Sequence, residues 1–314
     1  MRGRIDTHHH FYPPKYLTAA AEHLRQVTHV HFPRIQQWTA SQAIEAMDRD
    51  GIDAAVLSIA GPGIWFGNLT ATRRLARECN DYAAELARDH KGRFGIFAAL
   101  PLPDVKGSLE EIEYAFDVLK ADGIGLVTNY ESKWPGDSAF APVFDELNRR
   151  NAVVYFHPTA AAAFEGILPH VPSPMIEFPV DTTRAITSLL FGGTLSRCPD
   201  IRFIFSHGGG VLPMLAGRIE AITRNRPDLA ERVPNGVMHE IKRLYYDIAS
   251  VNHVIAFNAV RQLVGTSQLL FGTDFPFWSP QVAISGLEAF GLPASERRAI
   301  ERENALAMMP QLIR

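Results

Sequence analysis

Short apolar segments recur along the whole chain, and a pattern of helical period follows most of them. These segments are rich in β-branched and aromatic residues and show little alternation, which is typical of parallel strands buried on both faces. Eight strands are predicted on this basis, at Arg4–His8, Ala54–Ser58, Phe94–Ala98, Gly125–Thr128, Val153–Phe156, Arg202–Phe205, Leu244–Ile248 and Leu269–Gly272.

Amphipathic helices are predicted between these strands. Strands that alternate with helices favour parallel pairing through right-handed crossovers. Eight such units predict an α/β fold, a (β/α)8 TIM barrel. An open doubly wound sheet is the alternative, although no glycine-rich phosphate loop follows the first strand. The predicted helices are Ala40–Arg49, Thr72–Asp89, Leu109–Ala121, Phe140–Arg150, Thr182–Ser196 and Gly217–Asn225.

Two segments have the character of insertions, residues 11–38 after strand 1 and residues 158–181 after strand 5. Each follows the carboxyl end of a strand, so we expect both at the C-terminal face, where the active sites of such barrels lie. The chain shows no linker, repeat or low-complexity tract, and barrels often exceed about 250 residues. We therefore expect residues 1–314 to form a single domain.

Composition narrows the classes of function. The chain has 314 residues and a net charge of −3, which argues against a nucleic-acid-binding face. We expect no membrane segment, because no apolar run is long enough, and a cytoplasmic location, because the N-terminus has no apolar signal core. Cys79 and Cys198 are far apart, so we expect buried, reduced thiols rather than a disulfide.

Histidines two residues apart end the first predicted strand. Side chains alternate across a strand, so His8 and His10 should face one side and His9 the other. Two imidazoles on one face can hold one metal ion. His29 and His31 have the same spacing in a loop, and we expect them to have no such role.

Three further polar residues stand at the carboxyl ends of apolar strands: His157, His207 and Asp274. The ends of parallel barrel strands meet at one site. Histidine and carboxylate groups are suitable ligands for zinc and similar ions. Three glycines, Gly208–Gly210, follow His207, and we expect them to let a substrate approach the backbone closely.

Four motifs together resemble the amidohydrolase superfamily, and within it the branch of non-oxidative decarboxylases that includes aminocarboxymuconate-semialdehyde and 6-methylsalicylate decarboxylases. The resemblance covers nearly the whole chain. The motifs are DTHHH, the HP after strand 5, FGGTLSRCPDIRFIFSHGGGVLPMLAGRIE and FGTDFPF.

The resemblance implies a role for individual residues. One divalent ion, usually zinc with manganese as the alternative, would be held by His8, His10, His157 and Asp274. His207 and Asp274 would be the catalytic acid–base residues. Arg218 would cross the interface of a homodimer, or of a dimer of dimers, to hold the carboxylate of a small-molecule carboxylic acid. Arg34, four residues before a tryptophan, matches a second carboxylate contact.

This chain also departs from parts of the family pattern. Strand 4 has no lysine to bridge two metals, so one metal is expected. The first strand has His-x-His rather than the Glu-x-His of several benzoate decarboxylases. Thr159 stands where the aminocarboxymuconate enzymes have a tryptophan, which puts that substrate in doubt.

The predicted function is the decarboxylation of an aromatic or unsaturated carboxylic acid, such as an ortho-hydroxybenzoate. A metal-dependent hydrolase of a lactone or amide is the alternative, because it would use the same ligands. A third possible function is that of a non-catalytic binding protein. Several aromatic residues near the predicted site could wall an aromatic pocket or pack in the core: Phe11, Trp65, Phe275, Phe277 and Trp278.

Overall fold

Eight parallel strands form one sheet in which each strand pairs with the next along the chain. The structure, a computed structural model, describes residues 3–28, 32–131 and 133–312. The prediction for His29 and His31 therefore lies outside the described residues. The strands are β1 (Arg4–His10), β2 (Ile52–Ser58), β3 (Phe94–Ala99), β4 (Gly123–Val127), β5 (Val153–His157), β6 (Arg202–Phe205), β7 (Tyr245–Asp247) and β8 (Leu269–Leu270).

The first strand also bonds to the chain that follows the last one. The Thr7 N–H donates to the Phe271 carbonyl at 3.0 Å, and the Asp274 N–H donates to the His8 carbonyl at 2.9 Å. A bridge between His9 and Phe275 continues this parallel pairing. The sheet thus curves into a barrel, which confirms the predicted (β/α)8 fold and rules out the open sheet.

Helices follow the strands and cover the outside of the barrel. They are α1 (Pro14–Ala19), α2 (Ala21–Thr28), α3 (Phe32–Gln36), α4 (Ala40–Asp50), α5 (Leu69–Asp89), α6 (Val105–Glu113), α7 (Ala141–Arg149), α8 (Ser173–Phe191), α9 (Thr194–Arg197), α10 (Leu212–Arg224), α11 (Pro227–Ala230), α12 (Val237–Lys242), α13 (Val254–Val264), α14 (Pro280–Ala289), α15 (Ala294–Arg298) and α16 (Asn304–Met308). Within the described ranges, no helix is both long and apolar enough to cross a membrane.

The segment after β5 differs from its prediction. Helix α8 begins at Ser173 rather than at Thr182, and it contains Pro179. The prolines of this segment favoured a loop in the sequence. Pro174 fits in the first turn of α8, because the first N–H groups of a helix have no hydrogen-bond partner within the helix. The segment after β1 holds α1, α2 and α3.

Apolar side chains fill the barrel interior up to the level of the histidines. Ile5, Phe97 and Ile204 belong to this inner cluster, and Met308 and Leu312 close its lower end. A second and larger cluster lies between the strands and the helices, and Cys79 and Cys198 are buried there as free thiols. The packed interior leaves the carboxyl ends of the strands as the place for polar side chains.

Candidate metal centre

Three imidazoles and one carboxylate converge at the carboxyl ends of β1, β5 and β8. One ligand atom from each of His8, His10, His157 and Asp274 lies within 4.8 Å of the others, and all four residues are buried. The Nε2 atoms of His8 and His10 are 3.1 Å apart, and they lie 3.3 and 3.1 Å from Asp274 Oδ1. Ligands of a tetrahedral zinc ion are separated by about 3.3 Å, given metal–ligand distances near 2 Å.

An irregularity in β1 aims its two histidines inward. Ile5 faces the barrel interior, and regular alternation from it would turn His8 and His10 away. The pairing of β1 with β2 shifts register between Asp6 and His9, so that β1 has one more residue there than β2. This extra residue reverses the alternation and turns His8 and His10 toward the side that Ile5 faces. His9 faces the other way, as predicted, where it bonds to Asp6 and stacks on Phe275.

Each of the three imidazoles is anchored through its other ring nitrogen. His8 Nδ1 lies 2.9 Å from Asp247 Oδ2, His10 Nδ1 lies 3.1 Å from the Ser58 carbonyl, and His157 Nδ1 lies 2.9 Å from the Pro158 carbonyl. The acceptors at His8 and His10 favour the neutral tautomer with the proton on Nδ1, whereas His157 Nδ1 lies between an acceptor, the Pro158 carbonyl, and a donor, the Gly61 N–H at 3.1 Å. The Nε2 lone pairs then point to the centre of the cluster. This arrangement is the one by which proteins orient metal-binding histidines, and the donor set fits a divalent ion.

The buried charges of the cluster are coupled. Burial lowers the pKa of His8, but the carboxylates of Asp247 and Asp274 outweigh burial and raise it from 6.5 to about 10. Burial and the neighbouring histidines hold the pKa of His157 well below its usual value. Burial opposes ionisation of Asp274, yet His8, His10 and His207 hold its pKa well below 3.8. The metal-free cluster therefore carries a protonated His8 beside an ionised Asp274.

We expect metal uptake to release a proton. At pH 8 the metal-free protein holds the His8 proton, and a ligand imidazole must be neutral. A raised pKa means that the proton competes with the metal below about pH 10, so apparent affinity should rise about tenfold per pH unit from 7 to 9. Calorimetry in buffers of different ionisation enthalpy measures the protons released. A value near zero at pH 8, with pH-independent affinity, would contradict this charge state.

Two buried aspartates that the sequence analysis overlooked support the ligands. Asp6 bonds to His9 and Thr273 and thereby links β1 to the chain after β8. Asp247 ends β7, where its Oδ2 accepts from His8 and its Oδ1 accepts from the His207 N–H at 3.0 Å. Both residues interrupt the predicted apolar strands Arg4–His8 and Leu244–Ile248, and these interruptions were the signal that the sequence offered. The structure ends β7 at Asp247, one residue before the predicted end.

Replacement of Asp247 by asparagine should weaken metal binding about 10–100-fold, the usual effect of losing an outer partner of a ligand. Both oxygens of Asp247 accept hydrogen bonds, Oδ2 from His8 and Oδ1 from the backbone of His207 and Ala249. An amide has one acceptor oxygen, so its NH2 group must face one of these donors. Competition with a chromogenic chelator gives the affinity. Asp228→Asn, an exposed ion-pair aspartate, is the matched control; equal affinities for both variants would exclude this role.

His207 lies beside the cluster in an unusual backbone conformation. Its Nε2 is 3.4 Å from Asp274 Oδ2, and both residues have positive φ, 53° for His207 and 59° for Asp274. Non-glycine residues in this region cluster at functional sites. Of the three glycines after His207, only Gly210 lines the adjacent cavity, and a Cβ there would lie 1.9 Å from the Pro179 carbonyl. Its close contact is thus with α8 rather than with the open cavity.

A cavity of about 960 Å³ opens above the cluster. His157, His207 and Asp274 lie at its polar end, and the residues toward its mouth are mostly apolar. Of the predicted aromatic wall residues, Phe277 and Trp278 line it. Phe11, Trp65 and Phe275 instead pack in or against the outer core.

The two predicted carboxylate-binding arginines lie outside this cavity. Arg218 is on the exposed face of α10 and has no ion-pair partner within residues 3–28, 32–131 and 133–312. The guanidinium of Arg34 lies 5.6 Å from the ring centre of Phe275, whose ring stacks on His9. The fold thus brings the predicted metal ligands and His207 together, and neither predicted arginine lines their cavity.

Comparison with known proteins places the chain in a family. The model of the amidohydrolase family matches residues 5–310. The chain therefore belongs to the amidohydrolase family, as the motifs indicated.

Curated relatives come from the predicted branch. Decarboxylase yanB of Aspergillus niger is 37% identical over 98% of this chain and 88% of its own length. The 6-methylsalicylic acid decarboxylase of Penicillium expansum is 33% identical over 99% of this chain and 97% of its own. The crystal structure of the 5-carboxyvanillate decarboxylase of Novosphingobium aromaticivorans, with bound manganese and 3-methoxy-4-hydroxy-5-nitrobenzoic acid, has the same fold. Its TM-score is 0.90, at 19% identity, over 98% of this chain and 97% of that one.

Proposed function

We propose that this protein is a metal-dependent, non-oxidative decarboxylase, a carbon–carbon lyase, of an aromatic carboxylic acid such as an ortho-hydroxybenzoate. One observation carries the proposal: three anchored imidazoles and one carboxylate converge at the closed end of a cavity with apolar walls. Relatives that match almost the whole chain are decarboxylases, and one of them acts on 6-methylsalicylic acid. This branch favours a lyase over a hydrolase.

The proposed metal ligands are His8, His10, His157 and Asp274, holding one divalent ion. We propose zinc, with manganese as the alternative, because imidazole and carboxylate ligands accept both ions. The manganese in the 5-carboxyvanillate decarboxylase belongs to that protein and supports the alternative. Strand β4 (Gly123–Val127) contains no lysine that could bridge a second metal, which supports a single ion.

The reaction replaces a carboxyl group by a proton. A divalent ion bound to these ligands supplies Lewis-acid polarisation of substrate oxygens. We assign to His207 the delivery of a proton to the ring carbon that bears the carboxylate. The carbon–carbon bond then breaks, its electron pair returns to the ring, and CO2 leaves. Protonation before bond cleavage avoids a free aryl anion.

His207 is the better proton donor of the two catalytic candidates. Asp274 is a proposed metal ligand, and a carboxylate that binds a metal ion is deprotonated; in the metal-free cluster the surrounding histidines already hold its pKa well below 3.8. His207 lines the cavity, and its Nε2 faces Asp274 Oδ2 at 3.4 Å. Asp274 therefore serves as a ligand and orients His207. A positioned acid of this kind contributes about 10²–10⁴-fold to rate.

The substrate carboxylate needs a cationic partner that this cavity does not contain. Among the described residues, no lysine or arginine lines it. We propose that Arg218 of a second copy supplies the guanidinium in a homodimer or a dimer of dimers, since Arg218 is exposed on α10. Arg34, whose guanidinium lies over the Phe275 ring, stays the proposed second contact. Guanidinium groups bind carboxylates through two parallel hydrogen bonds.

Mixed dimers test the role of Arg218. Arg218→Ala and His207→Asn protomers should each be inactive alone. In a mixed dimer one site combines an intact His207 with the Arg218 of the other chain. Random mixing of equal amounts should therefore restore about a quarter of wild-type activity if the arginine acts across a twofold interface. Absence of restoration in mixtures that light scattering shows to have exchanged subunits would exclude a role in trans.

A turnover screen tests the proposed function. The metal-loaded protein is incubated with ortho-hydroxybenzoates and, separately, with lactones and amides. CO2 release from a hydroxybenzoate, with loss of that activity on chelation and recovery on adding zinc or manganese, is expected. Hydrolysis of a lactone or amide without CO2 release would favour the hydrolase. Binding without any turnover would favour the non-catalytic alternative. That residues 1–314 form one domain and act in the cytoplasm stay predictions.

A further inference from the structure

An uncharged segment borders the mouth of the cavity. Residues 166–176 read GILPHVPSPMI and contain no lysine, arginine, aspartate or glutamate. Large apolar side chains of this segment are exposed: Leu168 is 47% exposed, Val171 36% and Met175 66%. Trp278, which is 48% exposed, comes from the chain after β8. We call residues 166–176 the apolar strap.

These exposed side chains belong to the same cavity as the metal cluster. Leu168, Val171, Met175 and Trp278 all line it, together with His157, His207 and Asp274. Exposed apolar side chains grouped in this way mark a binding surface rather than ordinary exposure. The strap therefore continues the catalytic cavity outward as an apolar channel.

The cavity is larger than a simple benzoate requires. Its volume of about 960 Å³ is at the upper end of the range of roughly 300–1,000 Å³ that holds drug-sized ligands. A benzoate with one hydroxyl and one methyl group has far fewer atoms than such ligands. Three prolines in the strap, Pro169, Pro172 and Pro174, also limit its backbone freedom, so this wall needs little ordering when a ligand binds.

We infer that the preferred substrate is a hydroxybenzoate with an extended apolar substituent, an alkyl chain of several carbons, which lies along the apolar strap and Trp278. This inference rests on the proposed decarboxylase function and narrows its substrate class. The polar end of the cavity receives the carboxylate and the phenolic oxygen. The residues toward the mouth are apolar side chains, glycines and prolines, with three polar exceptions: Ser173, Ser250 and His170.

A second copy of the chain is the other candidate occupant of the strap. Continuity with the metal cluster argues for the substrate instead, because the strap lines the same cavity as His157, His207 and Asp274 and a chain attached to a bound substrate reaches it. The face of α10 that carries Arg218 has exposed apolar side chains of its own, Met214, Leu215 and Ile222, which do not line the cavity.

The test compares 2-hydroxybenzoates with a methyl, propyl or pentyl group at C4 or at C6. Full burial of one methylene group raises kcat/KM about fourfold, and burial in a half-open channel raises it about twofold. We expect kcat/KM to rise at least about tenfold from methyl to pentyl in one of the two series. Turnover of the methyl compounds with no gain, or a loss, on chain extension in both series overturns this inference and leaves the proposed function standing. No CO2 from any compound refutes the proposed function itself.

Near-isosteric polar variants locate the effect. In the double variant Leu168→Asn, Met175→Gln, the pentyl-to-methyl ratio of kcat/KM should fall to about one, because buried methylene groups then face polar atoms. Val118 is an exposed apolar residue that does not line the cavity, so Val118→Thr should keep the wild-type ratio. An unchanged ratio in the double variant overturns the inference. Light scattering is measured in parallel, and dissociation of the double variant assigns the strap to the contact between copies and likewise overturns it.

Discussion

His157→Ala protein should lose its metal and its activity together. His157 is one of the four proposed ligands among the described residues, and its Nδ1 already contacts the Pro158 carbonyl and the Gly61 N–H, which leaves Nε2 for the ion. Removal of a residue that binds the metal directly should lower metal affinity by more than the roughly 10–100-fold that is lost when a hydrogen-bond partner of a ligand is removed. We expect metal content to fall from about one equivalent to below about a tenth. Turnover should drop at least about 10³-fold. Elemental analysis and CO2 release measure the two quantities.

His239→Ala is the matched control, since His239 lies on α12 outside the cluster. It should keep wild-type metal content and turnover. The melting temperatures of both variants, measured without metal, separate loss of a ligand from loss of the fold. If the His157→Ala protein keeps one equivalent of metal and normal turnover, His157 at the end of β5 is not a ligand of the ion.

His207→Asn protein should keep its metal and lose turnover. His207 faces the cavity but is not one of the four clustered ligands, so its removal takes away proton delivery rather than metal binding. We expect kcat to fall about 10²–10⁴-fold. Asparagine is chosen because it tolerates the positive φ of this residue, 53°. Steady-state CO2 release, together with metal content, measures the effect.

The contrast with His157→Ala makes this prediction specific. Binding of an unreactive substrate analogue to metal-loaded His207→Asn protein should stay near the wild-type affinity, because the ligands of the ion are intact. His253→Asn, at the N-terminus of α13, serves as the matched control. If His207→Asn instead lowers metal content, His207 acts as a ligand. If it leaves kcat unchanged, another group delivers the proton.

The fold and the clustering of the candidate metal ligands could be predicted because both depend on local patterns. Each strand is a short, buried apolar segment, and the barrel follows from eight of them alternating with helices. The ends of parallel strands must meet, so His8, His157 and Asp274 could be placed together from their positions alone. The resemblance to the amidohydrolase superfamily assigned the same residues independently.

Contacts between distant side chains could not be predicted in the same way. Asp247 matters because its two oxygens reach His8 and the backbone of His207, and strand position does not reveal where an oxygen points. The start of α8 at Ser173 was missed because prolines in the segment have opposite meanings at the first turn of a helix and inside it. The sequence also could not decide whether Phe11 and Phe275 line the cavity or pack in the core, because that depends on how the folded chain places their side chains.

Anomalous diffraction from crystals grown with zinc or manganese tests the central claim most directly. The account predicts one anomalous peak per chain, within about 2.0–2.3 Å of nitrogens from three histidines and an oxygen from the carboxylate. Those residues are His8, His10, His157 and Asp274. A catalytically active crystal without a peak between these four side chains, or with its only peak elsewhere, would contradict the account.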